Sequence, residues 1–184
     1  MSTAILSPPV ERRSFCEVRF DARRLQGYAA TFGSMANMGA GYQERIAPGA
    51  FREALSGDVL ALLDHDLGKV LGRTRSGTLT LSEDSKGLAF SLEVPDTQAG
   101  RDVLALAERG DLGGMSFGFT VPDGGESWQG TVRTLRSISL KEISVVSAWP
   151  AYPETELALR NAQAFVERKA RQRRLTLAEL SAWD

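Results

Sequence analysis

Gly113-Gly114-Met115-Ser116-Phe117-Gly118-Phe119 sets a serine in a glycine-rich, strand-forming run. Continued to Val121, the run alternates. Phe117, Phe119 and Val121 share one face, and Ser116, Gly118 and Thr120 share the other. The phenylalanines belong in the core, so Ser116 is predicted to point away from it. Gly118 beside it leaves room for a second backbone to come close. Leu140-Lys141-Glu142-Ile143-Ser144-Val145-Val146 divides in the same way, with Ile143 and Val145 on one face and Glu142 and Ser144 on the other. Both polar candidates are therefore expected on non-core faces, as a site on the outside of a barrel would need.

Outward from these two strands, the chain reads as one domain with a tail. At 184 residues it is long enough to bury a sizeable core. Its 42% hydrophobic and 24% charged residues are ordinary for a globular protein. A net charge of −1 offers no global field for nucleic acid or an anionic membrane. The single cysteine, Cys16, excludes an internal disulfide and fits a reducing compartment. Residues 1–14 contain no long apolar segment of the kind a secretory signal needs. No run approaches the roughly 18 apolar residues of a membrane span. The expected surroundings are those of a cytoplasm.

Taken in order, residues 1–14 read as a flexible arm, 15–160 as the folded domain and 161–184 as a basic helical tail. Strands are expected over 15–20 and 25–32, followed by a long loop over 33–42. Ile46-Ala47-Pro48-Gly49-Ala50-Phe51-Arg52-Glu53-Ala54-Leu55 reads as a short helix entered through proline and ended by Gly57. Val59-Leu60-Ala61-Leu62-Leu63 is a buried strand that delivers His65 at its end. A meander follows over 69–74, 78–82 and 88–94. Asp96 or Thr97 can cap a helix over 99–109, with Val103, Leu106 and Ala107 on one face and Gly110 as its stop. After Val121 a polar loop covers 122–130, and β-rich runs fill 131–139 and 140–147. Trp149-Pro150-Ala151-Tyr152-Pro153 stops the sheet, and helix is expected from Glu156 onward. The order implies an α+β domain dominated by antiparallel strands, with two or three helices. A barrel or strongly bent sheet would remove the open edges.

The chemistry turns on one count: the chain holds a single histidine, His65. A serine hydroxyl is a poor nucleophile without a base within hydrogen-bond reach, and that base needs a group to orient it. Neutral imidazole is the usual base, because its ordinary pKa lies near working pH. A carboxylate on its other nitrogen fixes the tautomer and stabilises the imidazolium. Asp64 and Asp66 flank His65, but adjacent side chains of an extended chain point to opposite faces, so neither reaches the imidazole easily. Each residue has a structural reading too. Most strand serines are structural, a lone histidine is commonly a satisfied surface or core group, and Glu142 can be a solvated strand residue. Cys16 reads as a small buried apolar residue. The basic run Arg168 to Arg174 reads as a solvated helix face. A metal at Asp64-His65-Asp66 lacks a second histidine and a cysteine pair. Gly39-Ala40-Gly41 lacks the lysine–hydroxyl pair of a phosphate loop. No cofactor and no metal is expected.

An ordered set of motifs takes the reading further. It runs through Gly27-Tyr28-Ala29-Ala30-Thr31-Phe32, Ile46-Ala47-Pro48-Gly49-Ala50-Phe51 and Leu63-Asp64-His65-Asp66. It continues in Val70-Leu71-Gly72-Arg73-Thr74, Ser76-Gly77-Thr78-Leu79, Pro95-Asp96-Thr97 and Arg109-Gly110-Asp111. Met115-Ser116-Phe117-Gly118-Phe119, the Glu142 strand and Pro150-Ala151-Tyr152-Pro153 complete it. Over about residues 25–160 this order resembles the prohead, or capsid-maturation, serine proteases of tailed phages, which are distantly similar to the herpesvirus assemblins. The resemblance implies Ser116 as nucleophile, His65 as general base and Glu142 as orienter, since no second histidine exists to fill the assemblin third position. It also implies an assemblin-like barrel with flanking helices, and an oxyanion loop near residues 148–152.

The implied function is a serine endopeptidase acting inside the assembling prohead, in the cytoplasm of a bacterial host. Its substrates would be the scaffold segment of the major capsid protein and other prohead components, with the portal protein and a second copy of the chain as further partners. Neither nucleic acid nor membrane is implied as a partner. Self-processing in the tail would fall within residues 160–175. A non-catalytic internal scaffold of the prohead is the main alternative, and a serine hydrolase unrelated to phage is a second.

Overall fold

The structure is a computed structural model and describes residues 10–15, 18–21, 23–38 and 41–147. Three sheets hold the chain together. The first is five-stranded, in the order β1 (Glu11–Phe15), β10 (Gly114–Thr120), β13 (Ser139–Val146), β6 (Leu60–Leu63) and β7 (Asp66–Arg73). The second orders β11 (Glu126–Gln129), β12 (Val132–Leu135), β5 (Gln43–Ile46) and β4 (Ala36–Asn37). The third orders β2 (Val18–Asp21), β3 (Arg24–Thr31), β9 (Gly87–Glu93) and β8 (Leu79–Glu83). One α-helix, α1 (Gln98–Arg109), and a 3-10 turn at Ala54–Ser56 are the helical elements among the described residues.

The third sheet and α1 follow the sequence closely. The β8–β9 hairpin closes on Asp84, whose carboxylate accepts from the backbone N–H groups of Lys86 and Gly87 at 2.7 and 3.0 Å. Thr97 caps α1 by accepting from Gly100 N at 3.2 Å, and Gly110 ends it in the left-handed region at φ 74°. Val103 is fully buried on the inner face of the helix, with Ala107 packed against the same core.

Three expectations need correction. Antiparallel pairing dominates as expected, but two of the three sheets are mixed, because β13 pairs parallel with β6 and β12 pairs parallel with β5, and no closed barrel forms among the described residues. Of the two or three flanking helices expected, α1 is the one α-helix among the described residues. The helix expected over 46–55 is instead a string of turns ending in the 3-10 turn. Gly49 sits at φ 92°, outside any helix, and the Glu83 carboxylate accepts from Gly49 N and Phe51 N at 2.9 and 3.0 Å. Those N–H groups are satisfied from another strand, so the helix loses its advantage. The tail beyond residue 147, the loop at 148–152 and Cys16 lie outside the described residues.

The core lies on the phenylalanine side of β10. Phe117 stacks on Phe119 with centroids 5.3 Å apart and meets Phe51 edge-on at 5.8 Å. Met115, Ile143 and Val145 complete the layer, all at or below 1% exposure. Each such side chain contributes about 1.5–3 kcal/mol by leaving water. This burial holds β10 and β13 in one register, with Ser116 opposite Ser144 and Gly118 opposite Glu142.

Residues 11–14, read from sequence as the end of an arm, belong to an edge strand. β1 pairs antiparallel with β10, setting Arg13 against Phe117. Glu11 and Arg13 belong to a largely buried cluster that reaches the second sheet. Arg13 donates to Glu44 at 2.5 and 2.8 Å and to Glu11 at 2.9 Å. Arg133 donates to Glu11 at 2.6 and 2.8 Å, to Glu44 at 2.9 Å and to Glu126 at 2.6 Å. Burial opposes the charge of Glu11, but the hydrogen bonds and fields of Arg133 and then Arg13 outweigh it and hold its carboxyl below the ordinary range.

Candidate active site

Strand β6 ends in a two-residue hairpin turn, because Leu63 pairs with Asp66 across Asp64 and His65. Both turn residues have positive φ, 52° for Asp64 and 61° for His65. A primed turn of this kind favours glycine, asparagine and aspartate, and aspartate and histidine are among the side chains that accept positive φ most readily. Asp64 restrains the turn. Its carboxylate accepts from Ser147 N at 2.8 Å and Ser147 Oγ at 2.7 Å, while its own N–H donates to Val145 O. The turn is thereby tied to the end of β13, the strand that carries Glu142.

The result is a close contact. His65 Nδ1 lies 2.7 Å from Glu142 Oε1, with the imidazole partly exposed and the carboxylate almost buried. In the neutral tautomer that donates from Nδ1 to the carboxylate, Nε2 keeps a lone pair able to take a proton. The flanking acids are engaged elsewhere: Asp64 with Ser147, and Asp66 with Gly68 N at 2.8 Å and Lys69 at 3.4 Å. The turn geometry, rather than simple alternation, directs them away from the ring.

Ser116 stands on the same face of the sheet as Glu142, but not in the surroundings expected for it. It is 1% exposed and Glu142 6%, so neither is on an open surface. β10 runs between β1 and β13, and every one of its residues is buried. The Ser116 hydroxyl donates to Arg13 O of β1 at 2.8 Å, so its one proton is directed to β1 and not to His65. The structure thus joins His65 to Glu142 and gives Ser116 a separate partner.

Gly118 serves a different purpose from the one its sequence suggested. A Cβ there would stand 2.3 Å from Glu142 Oε1 and 3.1 Å from its carboxyl carbon. The space is filled by the Glu142 side chain itself. Gly118→Ala is therefore expected to keep the fold, since a side-chain end can move, yet push away the oxygen that meets His65. With one histidine in the chain, the imidazole N–H signal in proton NMR is unambiguous. It should lose its hydrogen-bonded, downfield position in the variant. An unmoved signal would show that the carboxylate adapts without leaving the ring.

Sequence reasoning passed over Ser144, whose Oγ donates to Glu142 Oε2 at 2.6 Å in a fully buried position. The signal was present in the spacing, since residues two apart on a strand share a face. Arg12, opposite Gly118 on β1, places its Nε 3.9 Å from Glu142 Oε1 at the exposed rim. No helix among the described residues is long and apolar enough to cross a membrane.

Comparison with known proteins bears on this arrangement. Residues 14–169 match the family model of the caudovirus prohead serine protease. The prohead protease of Enterobacteria phage HK97 is 30% identical over 148 residues, which cover 77% of this chain and 64% of that protein. The chain therefore spans just under two thirds of the length of this curated relative. No solved structure matches.

Proposed function

Because the chain belongs to the family of caudovirus prohead serine proteases, we propose that it is a serine endopeptidase of phage head maturation, with Ser116 as nucleophile, His65 as general base and Glu142 as orienter. The observation that carries this reading is the 2.7 Å contact between His65 Nδ1 and Glu142 Oε1. It leaves Nε2 as the base, on the one histidine of a chain whose family is defined by serine chemistry.

The reaction is acyl transfer. Ser116 Oγ attacks the carbonyl carbon of a peptide bond and its proton passes to His65 Nε2. Glu142 stabilises the imidazolium so formed. His65 then returns the proton to the departing amine nitrogen as the C–N bond breaks, and water releases the acyl group by the same route. Ser116 must first give up Arg13 O and become accessible, so the reading includes an opening step at β1 or above the serine. The substrates are the scaffold segment of the major capsid protein and neighbouring prohead components, cut within the assembling shell.

The burial of Ser116 and its bond to Arg13 O favour a second reading, a catalytically inactive internal scaffold of the prohead. Co-expression with the major capsid protein of the same phage separates the two. Wild type is expected to shorten the capsid protein, and Ser116→Ala to leave it full length. Equal processing by both would remove Ser116 from the reaction, and processing by neither would favour the scaffold.

A further inference from the structure

We propose that Ser144 is a positioning residue for the Glu142 carboxylate, holding Oε2 so that Oε1 stays on His65. The inference rests on the reading of Ser116, His65 and Glu142 given above.

A carboxylate has two oxygens, and here they are divided between two tasks. Oε1 faces His65 Nδ1 at 2.7 Å, and Oε2 accepts from Ser144 Oγ at 2.6 Å. The second distance lies in the short range of hydroxyl–carboxylate bonds, about 2.5–2.7 Å, which are stronger than neutral ones. Ser144 has 0% exposure, so its single proton has no water to compete for it, and that proton is spent on Glu142. On its own face Ser144 stands opposite Ser116 of β10 and level with Leu62 of β6. A polar group there is explained by what it holds.

The geometry narrows the role further. Without the Ser144 hydroxyl, Oε2 would be a buried acceptor with no donor, a state that folded proteins avoid. The side chain could relieve it by rotating toward the exposed Arg12 guanidinium, whose Nε already stands 3.9 Å from Oε1. That rotation would take Oε1 off the imidazole. On the other side, the missing Cβ of Gly118 provides the space the carboxylate fills. Ser144 and Gly118 therefore act as donor and socket for one side chain, and both sit on the Ser116 face through the Ser116–Ser144 and Gly118–Glu142 register.

The test uses a fluorophosphonate probe and two variants of the full chain. The probe needs no knowledge of the substrate: Ser116 Oγ bonds to phosphorus, the P–F bond breaks, fluoride leaves and His65 takes the proton. Ser144→Ala removes the donor and some volume. Ser144→Cys keeps the volume but offers only a weak donor. Both are expected to label Ser116 about 10- to 100-fold more slowly, by analogy with the loss when an outer hydrogen-bond partner of a metal-bound histidine or carboxylate is removed. In both, the downfield imidazole N–H signal should move, in the same direction as is expected of Glu142→Gln. A wild-type labelling rate with an unmoved signal in Ser144→Ala would overturn the proposal, and the same result in Ser144→Cys alone would reduce Ser144 to a packing role. Labelling also needs the opening step at Ser116, so a wild type that neither labels nor shortens the capsid protein would sink the catalytic reading, while the imidazole signal in the two variants still decides whether Ser144 holds the carboxylate.

Discussion

Glu142→Gln is expected to slow acylation of Ser116 by about four orders of magnitude, the size of effect seen when a triad carboxylate becomes an amide. The change is isosteric at an almost buried position, so the fold should survive. The loss comes from hydrogen-bond direction and from charge. Glutamine offers one oxygen and one NH2 group. Ser144 Oγ–H now points at Oε2, and an oxygen retained there turns the NH2 toward His65 Nδ1. Nδ1 must then accept, the ring proton moves to Nε2, and the nitrogen needed as a base is blocked. With the amide reversed, the ring is held correctly, but no negative charge remains to stabilise the imidazolium. Either way the transition state is raised. Fluorophosphonate labelling under single-turnover conditions measures it directly. A rate within a factor of a few of wild type would detach Glu142 from the chemistry. Asp64 and Asp66 would be poor replacements, since their carboxylates are committed to Ser147 and to Gly68 and Lys69.

What was legible in the sequence followed from local physics. The alternation of Phe117 and Phe119 with Ser116 and Gly118 told which face of β10 packs its rings into the core, although the other face is buried too, and the cap residues at Thr97 and Gly110 set the ends of α1. His65 stood out by number alone. What was not legible depends on partners distant in the chain. β11, with Glu126, Ser127, Trp128 and Gln129, has no apolar alternation and exists because it pairs with β12 and because Glu126 meets Arg133. The charged strand β1 looked like a solvated arm, since buried charge is costly until its partners are known. The parallel pairing of β13 with β6 has no local signature, yet it sets the distance between Glu142 and the turn that carries His65. The burial of Ser116 was missed for the same reason: periodicity tells which way a side chain points, but not which strand lies beside it.

Arg133→Met is expected to cost about 3–5 kcal/mol, the usual penalty for removing one member of a buried ionic group. The cluster holds three carboxylates, Glu11, Glu44 and Glu126, and two guanidiniums, Arg13 and Arg133, a formal −3 + 2 = −1. Methionine fills much of the volume but leaves a net −2, with Glu44 still 2% exposed and Arg13 as the one remaining cation of the cluster. Burial already opposes the charge of Arg133, and its pKa is nonetheless raised because Glu11, Glu44 and Glu126 surround it; their need for it is reciprocal. Against a typical domain stability of about 5–15 kcal/mol, the loss is large. Urea unfolding should show it as a lower midpoint, and Glu126→Gln, which takes the cluster from −1 to 0 at its more exposed end, should cost far less. The consequence reaches the site through β1. Glu11 and Arg13 bind this strand to the second sheet, and Arg13 O is the acceptor that holds the Ser116 proton. Trypsin should therefore cut after Arg12 or Arg13 more readily in Arg133→Met than in wild type. A variant as stable and as resistant as wild type would mean that backbone pairing with β10 alone holds β1 in place, and that the opening of Ser116 is not governed by these charges.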